Sequence, residues 1–156
     1  MVKRDSASNV VVGVDGSPSS HAALRWAVQY AELIGGDVVA VAAWAFPWTY
    51  GLAAPAVDPT FDRTIAERDL VNRVHQVLGE SRAAQVQKRL VKGHPVEVLL
   101  SEAEGAEALV VGSRGLGGFR RALLGSVSQQ CALHATCPVV IVRPTIEVTD
   151  SGTQAE

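Results

Sequence analysis

The sequence ALVVGSRG at residues 108–115 is followed, after nine more residues, by GSVS at residues 125–128. The apolar residues before the first glycine predict a buried strand, and the stretch that starts near Ser126 predicts a helix. Glycine has no Cβ, so it lets backbone amides come close to an anion, and the N-terminus of a helix is where an anion binds most readily. The segment therefore predicts a strand, a phosphate-binding loop and a helix, in that order.

The rest of the chain repeats this alternation of strand and helix. Helical spacing of apolar residues predicts a helix that starts at Ser17-Pro18, a second that includes residues 70–78 and a third that starts at Pro95. A loop from roughly Phe46 to Phe61 precedes the second of these helices. Continuous apolar runs predict strands at residues 9–15, 38–43 and 138–142. Residues 86–91 alternate only loosely and predict a weaker strand near an edge of the sheet.

Five strands that alternate with four helices form a mostly parallel sheet with right-handed crossovers. We expect an α/β fold: an open, doubly wound, Rossmann-like sheet of order 3-2-1-4-5 with helices on both faces. In such a sheet the ligand lies outside the carboxyl ends of the strands, where the winding reverses. If the first and fourth strands are neighbours, Asp15 and the loop that starts at Gly112 face the same crevice.

The composition limits the classes of function. The formal net charge of the 156 residues is −2, which gives no electrostatic reason to expect a nucleic-acid partner. The N-terminal apolar run is too short for a signal peptide, and residues 38–57, although uncharged, contain prolines and read as a strand followed by a loop. Cys131 and Cys137 lack metal or redox spacing and are interpreted as plain thiols. We expect a cytoplasmic protein without a membrane segment.

We expect one domain at residues 9–144, between a flexible N-terminus at 1–8 and a flexible tail at 145–156. Within that domain the chain resembles the universal stress protein family, specifically its ATP-binding branch, whose pattern is Gly, two residues, Gly, nine residues, Gly, then Ser or Thr. The residues that match this pattern are Gly112, Gly115, Gly125 and Ser126. Three further blocks resemble the family: VGVDGS at 12–17, KGHP at 92–95 and CPVVIV at 137–142.

The resemblance implies that the chain binds ATP, and Asp15 is the residue available as a ligand if Mg²⁺ accompanies the nucleotide. It implies that Asp15 lies at the adenine and ribose end, with the backbone of Ala43 facing the adenine and Val111 beside the same pocket. The residues that it implies next to the ribose and phosphates are Gly112, Gly115, Gly125, Ser126, Val127 and Ser128. It also implies a homodimer through the strand 139–142, an apolar edge strand that invites pairing.

Each of these residues also has a purely structural interpretation. The glycines permit a tight turn, Ser126 is suited to capping a helix, and Asp15 is suited to a turn before Gly16. Arg114, Arg120 and Arg121 fit a solvated loop face equally well, and His94 is interpreted as a turn residue. Trp44, Trp48 and Tyr50 either line the outer wall of the adenine pocket or cover the sheet.

The sequence contains the parts that hold a nucleotide but lacks those that split one quickly. A P-loop would require a lysine after its glycines, and no lysine follows Lys92. Three hypotheses remain: a nucleotide-dependent regulator or sensor of the stress response, a slow ATPase or self-phosphorylating enzyme, and an interaction module that binds another adenine nucleotide. The first is favoured, with at most weak ATP hydrolysis.

Overall fold

The computed structural model describes residues 8–44, 59–115 and 124–144. Its five strands form one parallel sheet of order β3-β2-β1-β4-β5, which confirms the predicted fold class. The strands are β1 (Asn9–Gly13), β2 (Asp37–Trp44), β3 (Gln87–Lys92), β4 (Ala108–Gly112) and β5 (Val139–Val142). The helices are α1 (Pro18–Ile34), α2 (Pro59–Leu78), α3 (Glu80–Ala83), α4 (Pro95–Glu102) and α5 (Ser126–His134).

Strand β1 lies at the centre of the sheet and is buried on both faces. Val10 and Val12 belong to one apolar cluster with residues of α1 and α2, whereas Val11 belongs to a second cluster with residues of α4 and α5. Each of these three valines is at most 2% exposed. A strand covered on both faces needs a continuous apolar run, which is why this part of the sequence does not alternate.

The ends of the helices follow from local chemistry. Ser17 caps α1, since its Oγ accepts a hydrogen bond from the backbone N–H of Ser20, and Pro18 occupies the first turn. Gly35 ends the same helix in the left-handed conformation, with φ of 67°. His94 caps α4 through Nδ1, which lies 3.3 Å from the N atom of Val96. His94 is therefore a turn residue in this fold, as the sequence predicts.

Several boundaries differ from the prediction. Strand β1 ends at Gly13 rather than at Asp15, because the chain turns into α1 through Gly16, whose φ is 84°. Helix α2 starts at Pro59, so residues 59–61, predicted as the end of a loop, belong to this helix. The rest of the predicted loop, residues 46–58, lies outside the described residues. The short helix α3 was not predicted because four residues are too few for a periodic pattern.

Edge positions agree with the sequence. The weakly alternating segment that ends at Val91 forms edge strand β3, and β5 forms the opposite edge. No helix within the described ranges is long and apolar enough to cross a membrane. Residues 1–7 and the predicted tail at 145–156 lie outside the described residues, so the domain limits stay predictions.

Candidate functional site

The carboxyl ends of β1 and β4 bring Asp15 and the glycine loop, residues 112–115, into one crevice. The two strands pair directly, with Val12 opposite Val110. A Cβ placed on Gly115 would lie 3.0 Å from Oδ2 of Asp15. The condition that β1 and β4 are neighbours is therefore met, and Asp15 lies next to the glycine loop at this edge of the sheet.

Asp15 has two oxygens with different surroundings. Its Oδ1 accepts hydrogen bonds from the backbone N–H of Ser17, at 2.9 Å, and from the Ser17 hydroxyl, at 2.5 Å. Its Oδ2 lies on the side of Gly115, and the residue as a whole is exposed. The two interpretations of Asp15 are thus compatible, because one oxygen forms the turn into α1 while the other faces the crevice.

The N-cap residue Ser17 and Ser19, in the first turn of α1, contact the glycine loop from the side of this helix. The Ser19 hydroxyl donates to the carbonyl oxygen of Arg114 and accepts from the Arg114 N–H at 3.3 Å. The Ser17 hydroxyl lies 3.2 Å from the same carbonyl oxygen. Ser17 is 2% exposed and Ser19 is 3% exposed, so these contacts are shielded from water. The backbone of Arg114 is fixed although its side chain belongs to an exposed residue.

Gly112 packs against the start of α1. A Cβ at this position would lie 2.5 Å from Ser19 Oγ, 2.7 Å from the carbonyl carbon of Ser19 and 2.8 Å from the backbone N of Ser20. Two of these atoms are backbone and cannot rotate away. Close approach of helix and strand therefore requires glycine here, independently of the ribose contact that the family pattern implies for Gly112.

Gly125 lies at the other end of the loop and precedes α5. Its N–H donates to the carbonyl oxygen of Ser113 at 2.6 Å, and a Cβ on it would lie 3.3 Å from Cα of Arg114. Its φ of −73° is open to any residue, so close packing explains this glycine. Gly125 offers no side chain to cap α5, and no side-chain cap is present at that helix end. Helix α5 leads from β4 to the parallel strand β5, so its first turn, with exposed Ser126, lies at the carboxyl end of the sheet.

Ser128 differs from Ser126 in its surroundings. Ser128 is 2% exposed, and its hydroxyl lies 2.9 Å from the carbonyl oxygen of Gly125 and 3.2 Å from that of Ser113. A hydroxyl has a single proton, and both of these neighbours are acceptors. The Ser128 side chain therefore ties α5 to the glycine loop. Among the predicted phosphate residues, the hydroxyl that an incoming ligand can reach is that of Ser126.

The predicted adenine-side positions lie on the α4 face of the sheet. Val111 is 3% exposed and, with half-buried Ala43, belongs to the apolar cluster that includes Leu99. Neither residue offers a polar side chain, so any hydrogen bond to a base would come from the backbone. Val127, at the start of α5, packs against the same cluster.

Trp44 lies on the opposite face from Ala43, since neighbouring residues of a strand point to opposite faces. The Lys92 ammonium lies 6.0 Å from the centroid of its ring, within cation–π distance. Trp44 therefore belongs to the α1 and α2 side of the sheet. Trp48 and Tyr50 lie outside the described residues, as do Arg120 and Arg121.

Sequence reasoning missed three contributors to the site. Ser19 lies behind the loop, Ser113 within the loop accepts a hydrogen bond from the N–H of Gly125, and the guanidinium of Arg73 lies against Gly16, where a Cβ would be 2.8 Å from Cζ. Arg73 reads in sequence as the polar face of an amphipathic helix, so nothing singles it out. Ser19 gave a signal that was available: it lies on the side of α1 that carries buried Ala23 and Leu24. A hydroxyl among buried apolar residues needs a partner.

The carboxylates at this edge do not form a metal cluster. Within residues 8–44, 59–115 and 124–144, no group of three His, Cys, Asp or Glu side chains is arranged to hold a metal ion. If Asp15 binds a cation, it does so without a cluster of further His, Cys, Asp or Glu ligands from the described residues. A cation here would need further oxygens from water or from a bound phosphate.

Cys131 and Cys137 are free thiols in the apolar cluster beneath α5. Burial raises the pKa of the Cys131 thiol, and the neighbouring Cys137 raises it further. We expect a thiol reagent at pH 8 to modify Cys137 in the native protein and to leave Cys131 unmodified until unfolding, because the thiolate is the reactive form. Equally fast modification of both thiols in the folded protein would contradict this assignment.

The raised pKa of Cys131 also predicts the sign of a pH effect on stability. The folded protein favours the neutral thiol, so this group's contribution is complete below the ordinary thiol pKa and is lost as the pH rises through the higher folded value. The free energy of unfolding of a Cys131→Ala variant should depend less on pH in this alkaline range than that of the unmodified protein. Urea unfolding across the range measures the difference.

The fold and site define a class: a doubly wound α/β domain with its crevice between the first and fourth strands. A family model described as the universal stress protein family matches residues 7–143. A universal stress protein of Mycolicibacterium smegmatis is 37% identical over 148 residues, which cover 90% of this chain and 47% of the relative. The chain belongs to the universal stress protein family. It spans about half the length of the curated relatives it matches.

Solved structures agree with this assignment. A universal stress protein in complex with cAMP is 29% identical, with a TM-score of 0.62, and the match covers 90% of this chain and 100% of that one. The universal stress protein of Archaeoglobus fulgidus in complex with dAMP is 24% identical, with a TM-score of 0.60, and covers 86% of this chain and 96% of that one. The second similarity supports the fold alone.

Proposed function

We propose that this chain binds ATP in the crevice between Asp15 and the N-terminus of α5 and that it acts as a nucleotide-dependent regulator or sensor of the cytoplasmic stress response. One observation carries the proposal: the carboxylate of Asp15 lies against Gly115, while Gly125 places an uncapped helix N-terminus on the other side of the same loop. A carboxylate suits a ribose hydroxyl, and free helix amides suit phosphates.

The roles of the individual residues follow from this geometry. Oδ2 of Asp15 accepts from the ribose or joins Mg²⁺, and the backbone of Ala43 beside Val111 faces the adenine. Gly112 and Gly115 line the ribose and first phosphate, and the amides of Gly125, Ser126, Val127 and Ser128 hold the remaining phosphates. The complex of a family member with cAMP supports an adenine nucleotide in this fold.

The proposed site is built for occupancy more than for turnover. No lysine follows Lys92 in the sequence, so the loop does not carry the cation that a P-loop directs at the terminal phosphates. Among the described residues of the glycine loop, the first turn of α5 and the segment between β1 and α1, Asp15 is the one carboxylate. In-line hydrolysis needs groups that orient water and neutralise the leaving oxygen. We therefore assign regulation to the bound state rather than to a product.

Ser126 allows a direct test of the amide contacts. Ser126→Pro deletes the N–H at the first position of α5, where proline fits a helix, and extended Gly125, with ψ of 164°, is a compatible neighbour. We expect the unmodified protein to gain about 2.7 kcal/mol of stability when ATP with Mg²⁺ reaches about 100 times its Kd, and Ser126→Pro to lose most of this gain.

Ser126→Ala is the matched control, because it removes the hydroxyl but keeps the amide. We expect it to retain most of the gain, which thermal unfolding with and without nucleotide measures. A lack of any ATP-dependent shift in the unmodified protein would refute ATP binding. Equal shifts in all three proteins would place the nucleotide away from α5.

A homodimer through β5 is part of the proposal. Leu109 N donates to the carbonyl oxygen of Pro138 and Ser113 N to that of Val142, so alternate residues of β5 bond to β4. The amides of Val139 and Ile141 then face outward from an edge whose four residues are all half-buried. We expect sedimentation at micromolar concentration to give a dimer. A single monomeric species would contradict the proposal.

A further inference from the structure

We propose that Ser19 is a positioning residue for the nucleotide site, which sets the affinity of the glycine loop for nucleotide without contacting the nucleotide itself. Ser19 is 3% exposed and lies behind the loop, on the side of α1. The inference rests on the proposed function, because nucleotide affinity is the quantity that Ser19 controls. Its structural half, the fixing of the loop, is measurable without nucleotide.

Ser19 forms two hydrogen bonds to one loop residue, Arg114. The Ser19 hydroxyl donates to the carbonyl oxygen of Arg114 and accepts from the N–H of Arg114 at 3.3 Å, across 95 positions of sequence. One side chain thus satisfies both peptide groups of a loop residue. Because the hydroxyl is buried, water does not compete for these bonds, and losing it leaves both groups of Arg114 without this partner.

Gly112 allows α1 to come close enough for Ser19 to reach the glycine loop. A Cβ on Gly112 would lie 2.5 Å from Ser19 Oγ, in the space that the serine occupies. Glycine at this position and serine at the start of α1 are therefore parts of one arrangement. The first allows α1 to approach β4, and the second uses that approach to bond to the loop.

Arg114 lies between the two ends of the proposed site, Asp15 at one end and the start of α5 at the other. The next residue, Gly115, has no Cβ and so leaves room for Asp15 Oδ2. The preceding residue is Ser113, whose carbonyl oxygen accepts a hydrogen bond of 2.6 Å from the N–H of Gly125, just before α5. A shift of Arg114 would move the carboxylate end and the amide end relative to each other. Ser19 fixes the residue between them.

Ser20 supplies a matched control. It is also 3% exposed and lies in the same helical turn, but its hydroxyl donates to the carbonyl oxygen of Ser17 at 3.0 Å, within α1. Replacing either serine by alanine removes one buried hydroxyl and introduces a better helix former. A role limited to the stability of α1 would make the two variants alike.

The test is calorimetric titration of ATP with Mg²⁺ into the unmodified protein, Ser19→Ala and Ser20→Ala. We expect Kd to rise about tenfold in Ser19→Ala and to stay within about twofold in Ser20→Ala, at similar urea midpoints. Equal affinities in the two variants would overturn the positioning role. If the unmodified protein binds no ATP, the proposed function fails. Hydrogen exchange then tests separately whether Ser19 fixes the backbone of the glycine loop.

Residue-resolved amide exchange of the nucleotide-free protein provides that measurement. In the unmodified protein we expect the Arg114 N–H to exchange at least about ten times more slowly than its intrinsic rate. Ser19→Ala should abolish this protection, and Ser20→Ala should retain it. An unprotected Arg114 amide in the unmodified protein would overturn the inference, even if Ser19→Ala does not fold.

Discussion

Gly112→Ala should destabilise the protein by about 2 kcal/mol or more, because overpacking against atoms that cannot move strains the backbone. The new methyl group would lie 2.7 Å from the carbonyl carbon of Ser19 and 2.8 Å from the backbone N of Ser20. Relief requires that α1 move away from β4, which also separates Ser19 from Arg114. Urea unfolding measures the loss, and ATP titration of the folded fraction should show weaker binding.

Gly115→Ala is the control for this prediction. Its Cβ would meet Oδ2 of Asp15 at 3.0 Å, and that oxygen belongs to an exposed side chain that is able to turn. We expect a change in the free energy of unfolding within about 0.5 kcal/mol, as for other changes at the surface. Equal stability of Gly112→Ala and the unmodified protein would contradict the packing of α1 on β4.

Asp15 should give the second large effect, and two substitutions separate its two oxygens. Asp15→Ala removes the acceptor of the Ser17 N–H and hydroxyl, and it removes a negative charge from the start of α1. Asp15→Asn keeps one carbonyl oxygen in the place of Oδ1 and loses the charge at the crevice. We expect about 1–2 kcal/mol of destabilisation for alanine and less for asparagine.

The two variants, Asp15→Ala and Asp15→Asn, should differ in stability but lose nucleotide affinity to a similar extent. Both variants lose the charged oxygen next to Gly115, so we expect Kd for ATP with Mg²⁺ to rise about tenfold or more in both. Calorimetry and urea unfolding of the same samples measure the two effects. Unchanged affinity in Asp15→Asn would show that the Asp15 charge serves the turn alone.

The fold was predictable because its signals are local. The continuous apolar run of β1, the capping of α1 by Ser17 and the stop at Gly35 each act within a few residues, and they determine a parallel alternation of strand and helix. Four residues of α3 left no comparable pattern. The start of α2 at Pro59 was missed because its first turns lack the helical spacing of apolar residues that marks 70–78, although Asp58-Pro59 is a pattern typical of helix starts.

The proximity of Asp15 to the glycine loop was predictable, but the contacts that hold the loop in place were not. The sequence placed Asp15 and the glycine loop at the same edge, since both follow strand ends. It did not show that the packing of α1 on β4 also requires a glycine at position 112, where a Cβ would meet Ser19. Contacts such as that of Ser19 with Arg114 depend on how α1 packs on β4, across 95 residues, and no local pattern records them.

The most direct test of the central claim is a titration of the isotope-labelled protein with ATP and Mg²⁺, followed by the backbone amide resonances. We expect the largest shifts at Asp15, Gly115, Ser126 and Val127, on both sides of the Arg114 backbone. We expect small shifts along edge strand β3. Shifts confined to other parts of the sheet, or none at millimolar ATP, would contradict an adenine-nucleotide site between β1 and α5.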